Sequence, residues 1–173
     1  ITVGTGGKQV LYNTFVATLN KNDEVIIPAP FWVSYPDMVL LAGGKPKIVK
    51  CHENDNFKLT PEKLKKSISK KTKWLILNSP SNPTGVGYTK KEIEGLSKIL
   101  IKYKKIHVLS DDIYEHIRYD NLDFSTIAQI SKLKNRTLTM NGVSKSYAMT
   151  GWRIGYAAGP KDIIKAIGKI QSQ

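Results

Sequence analysis

Short apolar runs of strand length alternate along this chain with segments of helical periodicity, and that alternation limits the fold more than any other feature. Strands are predicted at 24–27, 47–50, 74–77, 107–109, 137–140 and around 155–158; helices are predicted at 7–19, 35–41, from 61, from 89 to about 104, and from 160. Alternating strands and helices favour a parallel sheet that is covered by the helices. We therefore predict an α/β fold with a mainly parallel sheet and helices on both faces.

Length and composition favour one domain with one sizeable core, because the chain has 173 residues of which 40% are hydrophobic. The chain starts at Ile1 rather than methionine, and its last residue, Gln173, falls inside a helical pattern. We therefore expect a fragment of a longer protein.

The net charge of +13 raises the question of a nucleic-acid partner. The lysines are scattered over predicted helix faces, and only three arginines (Arg118, Arg136 and Arg153) are present to make bidentate contacts to bases or phosphates. No nucleic-acid-binding motif is recognisable, so a solvated basic surface is the better interpretation. A single cysteine, Cys51, excludes an internal disulfide, and no apolar run is long enough to span a bilayer. We expect a cytoplasmic protein with no membrane or nucleic-acid partner.

Polar groups directly follow several of the predicted strands. The segment 78–85 follows an apolar run, the segment 110–115 follows another, and the glycine-rich segment 4–9 opens the first helix. Open α/β sheets bind their ligands outside the carboxyl ends of the strands. The sequence therefore predicts a ligand site at this edge of the sheet.

One lysine stands out by its surroundings. Lys145 follows the strand at 137–140, lies among small and aromatic residues, and precedes Arg153 by eight positions. A lysine in a packed, partly dry site loses affinity for its proton and becomes a nucleophilic amine. An arginine placed for an anion nearby then suggests a Schiff base with a phosphorylated aldehyde.

Four segments follow one another along the chain: 4–9, 78–85, 110–115 and the segment around Lys145. In this order they resemble the motifs of class I pyridoxal-phosphate (PLP) aminotransferases of fold type I. The similarity extends from Gly6 to Tyr156 and is greatest to the aspartate aminotransferase subgroup, some of whose members also use prephenate. The resemblance implies the large-domain fold of PLP-dependent transferases. It also implies that residues 1–173 form the central part of that domain, with an N-terminal segment and a C-terminal small domain outside this chain.

The resemblance implies a role for each motif residue. Gly6, Gly7, Lys8 and Arg153 would hold the cofactor phosphate, Asp111 the pyridine nitrogen, and Asn82 with Tyr114 the phenolate oxygen, while Trp32 would stack on the ring. Trp32 and Asn82 would also contact substrate, and Lys145, Asp111 and Tyr114 would be the catalytic residues. Each motif alone also has a plainer interpretation, namely a helix-start turn, a strand-end cap, a proline turn or a core tryptophan.

The implied reaction is transfer of the amino group of aspartate to 2-oxoglutarate through a Schiff base on Lys145, in a homodimer that serves amino-acid biosynthesis and needs no metal. Three alternatives stay open: another PLP enzyme of this fold such as a lyase or decarboxylase, a non-catalytic PLP-binding regulator, and a basic binding module. A metal-binding aspartate-rich motif at Asp111-Asp112-x-x-Glu115 is disfavoured because it follows a strand. One departure from the family concerns the phosphate: many relatives have serine where this chain has Gly142, and Ser144 adjoins the lysine instead.

Overall fold

The computed structural model describes residues 1 to 173 and contains one seven-stranded sheet and five α-helices. The strands are β1 (Thr2–Thr5), β2 (Glu24–Ala29), β3 (Lys45–Lys50), β4 (Thr72–Asn78), β5 (His107–Asp111), β6 (Thr137–Gly142) and β7 (Ile154–Ala158). The helices are α1 (Gly6–Thr18), α2 (Ser34–Leu41), α3 (Pro61–Ser67), α4 (Lys90–Leu100) and α5 (Lys161–Gln171), with short 3-10 turns at Glu53–Asp55, Ile127–Gln129, Ser131–Arg136 and Thr150–Trp152. Every predicted strand and helix is present. No helix combines the length and apolar character that crossing a bilayer requires.

The strand order is β1-β7-β6-β5-β4-β2-β3, and the sheet is mainly parallel, as predicted. The pairs from β3 through β2, β4 and β5 to β6 are parallel, whereas β7 runs antiparallel to both β6 and β1. The connection 143–153 between β6 and β7 contains no α-helix, so β7 returns beside β6 in the opposite direction. Its first residue therefore lies at the edge where the parallel strands end.

Helices cover both faces of the sheet, which confirms the predicted fold class. On one face α1, α2 and α5 pack on the strands through residues such as Phe15, Val39 and Ile167. On the other face α3 and α4 do the same through Leu64 and Leu96. Because the central strands are buried on both faces, β4 is an almost continuous apolar run rather than an alternating one.

Two features of the fold were not predicted from the sequence. Residues Thr2–Thr5 form an edge strand, which its brevity and two threonines conceal. Helix α4 ends at Leu100, although the pattern suggested about residue 104. The Arg136 guanidinium explains this end, because it donates hydrogen bonds to the carbonyls of Leu100, Tyr103 and Ile106 at 3.1, 3.0 and 2.6 Å. Those carbonyls thus find a partner without another helical turn.

Helix starts follow the sequence signals closely. Thr89 Oγ1 accepts a hydrogen bond from the Glu92 backbone N–H at 3.3 Å, and Glu92 Oε2 accepts one from the Thr89 N–H at 2.7 Å. This reciprocal capping box fixes where α4 begins, and hence where the preceding loop must end.

Candidate active site

The strand register collects the polar segments at one edge of the sheet. Asn78 at the end of β4 pairs with Asp111 at the end of β5, and Asp111 pairs with Met140 near the end of β6. Ile154, which begins the antiparallel β7, pairs with Thr5 at the end of β1. Side chains that are distant in the sequence therefore meet at this edge, as predicted for an open α/β sheet.

A cavity of about 300 Å³ opens at this edge and contains nearly all of the predicted site residues. Eight of those nine residues line it: Gly7, Lys8, Trp32, Asn82, Asp111, Tyr114, Lys145 and Arg153. The ninth, Gly6, does not line the cavity but lies directly against Arg153. Seven further residues complete the wall: Leu11, Tyr35, Asn78, Ile113, Met140, Ser144 and Thr150. The structure thus brings together residues from five separate chain segments.

Asp111 is the buried acid of the cavity, with only 3% of its surface exposed. Its Oδ2 accepts a hydrogen bond from the Tyr35 hydroxyl at 2.5 Å, and its Oδ1 accepts one from the Ile113 backbone N–H at 3.3 Å. Burial raises the pKa of Asp111 to about 7, although both hydrogen bonds favour the charged form. A carboxylate so placed can pair with a cationic N–H group inside the cavity.

The adjacent carboxylate, Asp112, points to the opposite face of the sheet. Its two oxygens accept hydrogen bonds from the hydroxyls of Ser110 and Thr126 at 2.7 and 2.8 Å. Burial raises the pKa of Asp112 to about 6, and these hydroxyls lower it. Because successive strand residues face opposite ways, Asp111 and Asp112 do not share a site. Nowhere in the chain do three or more His, Cys, Asp or Glu side chains form a group that could hold a metal ion.

Asn82 and Tyr114 lie side by side in the cavity wall. Asn78 organises this part of the wall, since its Oδ1 accepts the Asn82 backbone N–H at 2.7 Å and its Nδ2 donates to the Asp111 carbonyl at 2.9 Å. Burial raises the pKa of the Tyr114 phenol, the charge of Asp111 raises it further, and the Asn82 side chain lowers it. The cavity therefore offers an amide and a neutral phenol as neighbouring hydrogen-bond donors.

The start of α1 forms an anion-binding corner with Arg153. Gly6 has φ 77°, and a Cβ atom added there would lie 2.9 Å from the Arg153 Cζ. Only glycine permits both this backbone conformation and this close approach. The free N–H groups of the first helical turn and the guanidinium are thus side by side, an arrangement that suits a phosphate or carboxylate.

Lys145 lines the cavity but is exposed, so the prediction of a packed, dry lysine is wrong for the chain described here. The turn that follows β6 holds its backbone at the cavity rim, and its ammonium makes no ion pair. Arg153 is exposed as well, and its side chain donates one hydrogen bond, to the Thr150 carbonyl at 3.0 Å. Both cations are therefore available to a ligand.

Two positions explain the departure from the family pattern near the lysine. A Cβ atom at Gly142 would lie 2.9 Å from the Ile154 carbonyl oxygen, so a serine there would require β6 and β7 to move apart. Ser144 is buried and lines the cavity. In this chain the hydroxyl-bearing residues of the lysine segment that line the cavity are Ser144 and Thr150.

Trp32 is half-buried: it lines the cavity and packs against the edge of the core rather than in its middle. Its ring meets that of Tyr35 edge-on, with centroids 5.4 Å apart, and the Lys8 ammonium lies 5.1 Å from its centroid. Tyr35 and Asn78 were not predicted as site residues. Tyr35 lies three positions after Trp32, and Asn78 begins the polar segment 78–85; both signals were visible in the sequence.

The mainly parallel sheet thus brings a lysine, a buried aspartate and an arginine together at its carboxyl edge, where the resemblance to aminotransferases predicted them. The family model for aminotransferases of class I and II matches residues 1–173, and the chain belongs to this family. The resemblance inferred from the motifs is thus confirmed.

Relatives of high sequence identity carry names from the aspartate aminotransferase subgroup. The chain is 62% identical over its full length to the aspartate/prephenate aminotransferase of Cereibacter sphaeroides, of which it covers 44%. Among solved structures, it matches the aspartate aminotransferase from Rhizobium meliloti with a TM-score of 0.98 at 52% identity, covering 99% of this chain and 43% of that one. The aspartate aminotransferase from Thermus thermophilus with maleate matches with a TM-score of 0.93 at 45% identity, covering 99% and 44%. The chain therefore spans less than half the length of these relatives.

Proposed function

We propose that the full-length protein is a PLP-dependent transaminase that transfers the amino group of aspartate to 2-oxoglutarate. The observation that supports this most strongly is the convergence of Asp111, Lys145 and Arg153 on one cavity. These residues come from β5, the turn after β6, and the residue before β7. A buried acid, an amine and a guanidinium are the three groups that a phosphorylated pyridine aldehyde requires.

The charge of the cavity suits such a cofactor. Three cationic side chains line it (Lys8, Lys145 and Arg153), against one carboxylate, Asp111. The phosphate would occupy the corner between the start of α1 and Arg153, with the Ser144 hydroxyl as a further donor. The cavity volume of about 300 Å³ is also at the lower end of the range for small-molecule sites.

Four other wall residues would each hold one part of the ring. Asp111 would pair with the pyridine nitrogen and favour its protonated form, because a buried anion stabilises a neighbouring cation. Asn82 and Tyr114 would donate to the phenolate oxygen, and Trp32 would pack on the ring. When bound, the cofactor supplies an electron sink for the bond broken at the substrate's α-carbon.

Lys145 would have two roles, anchor and proton carrier. Its amine would be the group that holds the cofactor's aldehyde carbon in the resting protein, until the amine of the substrate takes that place. Once free, it would move the proton between the substrate α-carbon and the cofactor carbon that receives the amino group. Exposure at the cavity rim is consistent with both roles, since the side chain must leave and return.

The choice of aspartate rests on the relatives, since names in this subgroup include aspartate and prephenate as substrates. Maleate, present in the Thermus thermophilus structure, is likewise a dicarboxylate. We propose prephenate as a further acceptor. We also propose that residues 1–173 form the central part of the cofactor-binding domain, with the N-terminal segment and the small C-terminal domain in the rest of the full-length protein. We propose a cytoplasmic homodimer that acts in amino-acid biosynthesis.

The test is a set of absorption spectra of the full-length protein with PLP, first alone, then with aspartate, then with 2-oxoglutarate. The cofactor band should disappear on addition of aspartate and return with 2-oxoglutarate. Lys145→Ala should show no such band. The variant also lacks the amine that carries the proton, and removal of such a group alone lowers turnover by about 10²- to 10⁴-fold. Lys91→Ala, which changes an exposed lysine of α4 far from the cavity, should behave as the wild type.

Product analysis separates the alternatives. Oxaloacetate and glutamate in equal amounts indicate transamination, whereas release of carbon dioxide or ammonia from the amino acid indicates a decarboxylase or lyase. A stable band that no amino acid alters indicates a binding regulator. Absence of any Lys145-dependent band overturns the PLP assignment.

A further inference from the structure

The Tyr35 hydroxyl is the one side-chain donor to the buried acid of the cavity. Tyr35 belongs to α2, is 1% exposed, and donates to Asp111 Oδ2 at 2.5 Å, across 76 positions of sequence. We propose that Tyr35 is a positioning residue that holds Asp111 in its ionised form and in the orientation that a cationic ring nitrogen requires. This inference rests on the proposed function and adds a residue to that site.

The geometry supports orientation first. A carboxylate has about four acceptor positions, and Tyr35 with the Ile113 N–H occupies two of those on Asp111. The remaining two are free for a donor in the cavity. Packing holds Tyr35 itself, because its ring is buried in the core below α2 and meets Trp32 edge-on at 5.4 Å. A donor fixed in this way also fixes the carboxylate that accepts from it.

Ionisation is the second part of the argument. Burial raises the pKa of Asp111 to about 7, the neighbouring charge of Asp112 raises it as well, and the bond from Tyr35 is the largest influence that lowers it. The pKa of Tyr35 is itself raised well above its usual value, by burial and then by the charge of Asp111, so the phenol stays a donor. The other titratable side chains that face this cavity are Tyr114, Lys8, Lys145 and Arg153.

Removal of the hydroxyl should therefore move a proton. Without the Tyr35 donor, the ionised form of Asp111 loses a charge-assisted hydrogen bond, and the neutral form becomes more favourable. A carboxyl group that keeps its own proton cannot stabilise a protonated ring nitrogen. The expected consequence is a smaller fraction of bound cofactor with a protonated nitrogen.

The first measurement needs no cofactor. The Asp111 carboxyl is titrated by carbon-13 NMR in the cofactor-free full-length protein, with Asp111→Asn to identify its signal. Tyr35→Phe, which keeps the ring, should raise the pKa of Asp111 by about one to two units, the equivalent of one hydrogen bond to a charged group. Tyr88→Phe is the matched control, since its buried hydroxyl accepts from the Leu59 N–H at 2.7 Å and does not line the cavity. It should leave that pKa unchanged.

The second measurement follows the ring nitrogen directly. PLP labelled with nitrogen-15 is bound to each variant, and its chemical shift reports the protonated fraction. Tyr35→Phe should lower that fraction at neutral pH and weaken cofactor binding by roughly 10-fold. A fluorinated tyrosine at position 35, a stronger donor of almost the same shape, should shift both readouts in the opposite direction. This variant keeps the core intact and separates hydrogen bonding from packing.

The outcomes distinguish this inference from the proposed function. If the pKa of Asp111 and the nitrogen-15 shift are the same in the wild type and Tyr35→Phe, the positioning role is wrong while the aminotransferase assignment stands. Equal changes in Tyr35→Phe and Tyr88→Phe also overturn it, because they would reflect loosened packing. If the wild type binds no PLP, the proposed function fails, and the cofactor part of this inference fails with it.

Discussion

The two sides of the cavity differ in how the protein holds them. On the acid side, defined by Asp111, Tyr35 and Asn78, the buried carboxylate accepts two hydrogen bonds and the strands fix its position. On the cationic side, defined by Lys145 and Arg153, both side chains are exposed and neither forms an ion pair. One side is organised by the protein, and the other is left for a ligand.

This difference has a physical cause. A buried carboxylate needs donors before any ligand arrives, because an unsatisfied charge in the interior is costly. Cations that remain in water need no protein partner, because water solvates their charge. Their side chains therefore stay free to pair with an anion when one binds. The comparison teaches that the acid side should respond to changes in hydrogen bonding, whereas the cationic side should respond to changes in charge and reach.

The largest effect is expected on the acid side, from Asp111→Asn. The asparagine keeps the shape but cannot stabilise a protonated ring nitrogen, a loss of about 3 to 5 kcal/mol for a buried charge partner. Transamination kcat should fall roughly 10²- to 10⁴-fold in steady-state assays of the full-length protein. Asp112→Asn, next in sequence but on the opposite face, should retain near-normal kcat. Equal losses in both variants would contradict the assignment.

A smaller effect is expected from Gly6→Ala, at the start of α1. The added methyl would occupy the place of the Arg153 guanidinium, so PLP affinity should fall by about 30-fold, the equivalent of one strong charge-assisted hydrogen bond. Gly43→Ala is the control, because Gly43 has φ 81° and nothing within 4 Å of an added Cβ. Both variants should lose about 1 to 2 kcal/mol of stability from the left-handed backbone. Only Gly6→Ala should lose affinity in fluorescence titrations.

On the cationic side, Arg153→Lys should weaken PLP binding by about 10-fold, because a lysine keeps the charge but not the two parallel donors. The affinity should also become more sensitive to salt, since a point charge is screened more easily than a bidentate contact. Equilibrium dialysis at two salt concentrations measures both changes. Arg118→Lys, whose arginine is exposed and donates to the Leu122 carbonyl, should match the wild type.

Asp112→Asn should have the smallest effect on the cavity, but it should change how the stability of the protein depends on pH. The pKa of Asp112 in the folded chain is about 6, against an ordinary value of 3.8, so the folded state holds a proton that the unfolded state has released. The stability that this proton gives is present below pH 3.8 and is lost as pH rises through about 6. Asp112→Asn should remove about 2 kcal/mol of this pH dependence, measured as urea midpoints between pH 4 and 7. An unchanged slope would show that Asp112 is ionised at lower pH.

Local sequence signals predicted the elements well and the exposure of side chains poorly. The period of apolar residues and the Thr89–Glu92 capping box located helices and strands because these signals act within a few residues. The end of α4 depended on Arg136, more than thirty positions away, and no local pattern contains that contact. Similarly, Lys145 lies among small and aromatic residues in sequence but faces an open rim in space.

The sequence by itself determined the α/β class and the family. It also predicted nine site residues, and eight of these line the cavity. The prediction was possible because strand ends and helix starts converge at one edge of any open parallel sheet. Tertiary structure alone decided how each charge is held. The bond from Tyr35 to Asp111, the opposite orientation of Asp112, and the contact of Gly6 with Arg153 all depend on strand register and helix packing. The physical reason is that burial and hydrogen bonding are properties of neighbours in space, and those neighbours are set only when the sheet has formed.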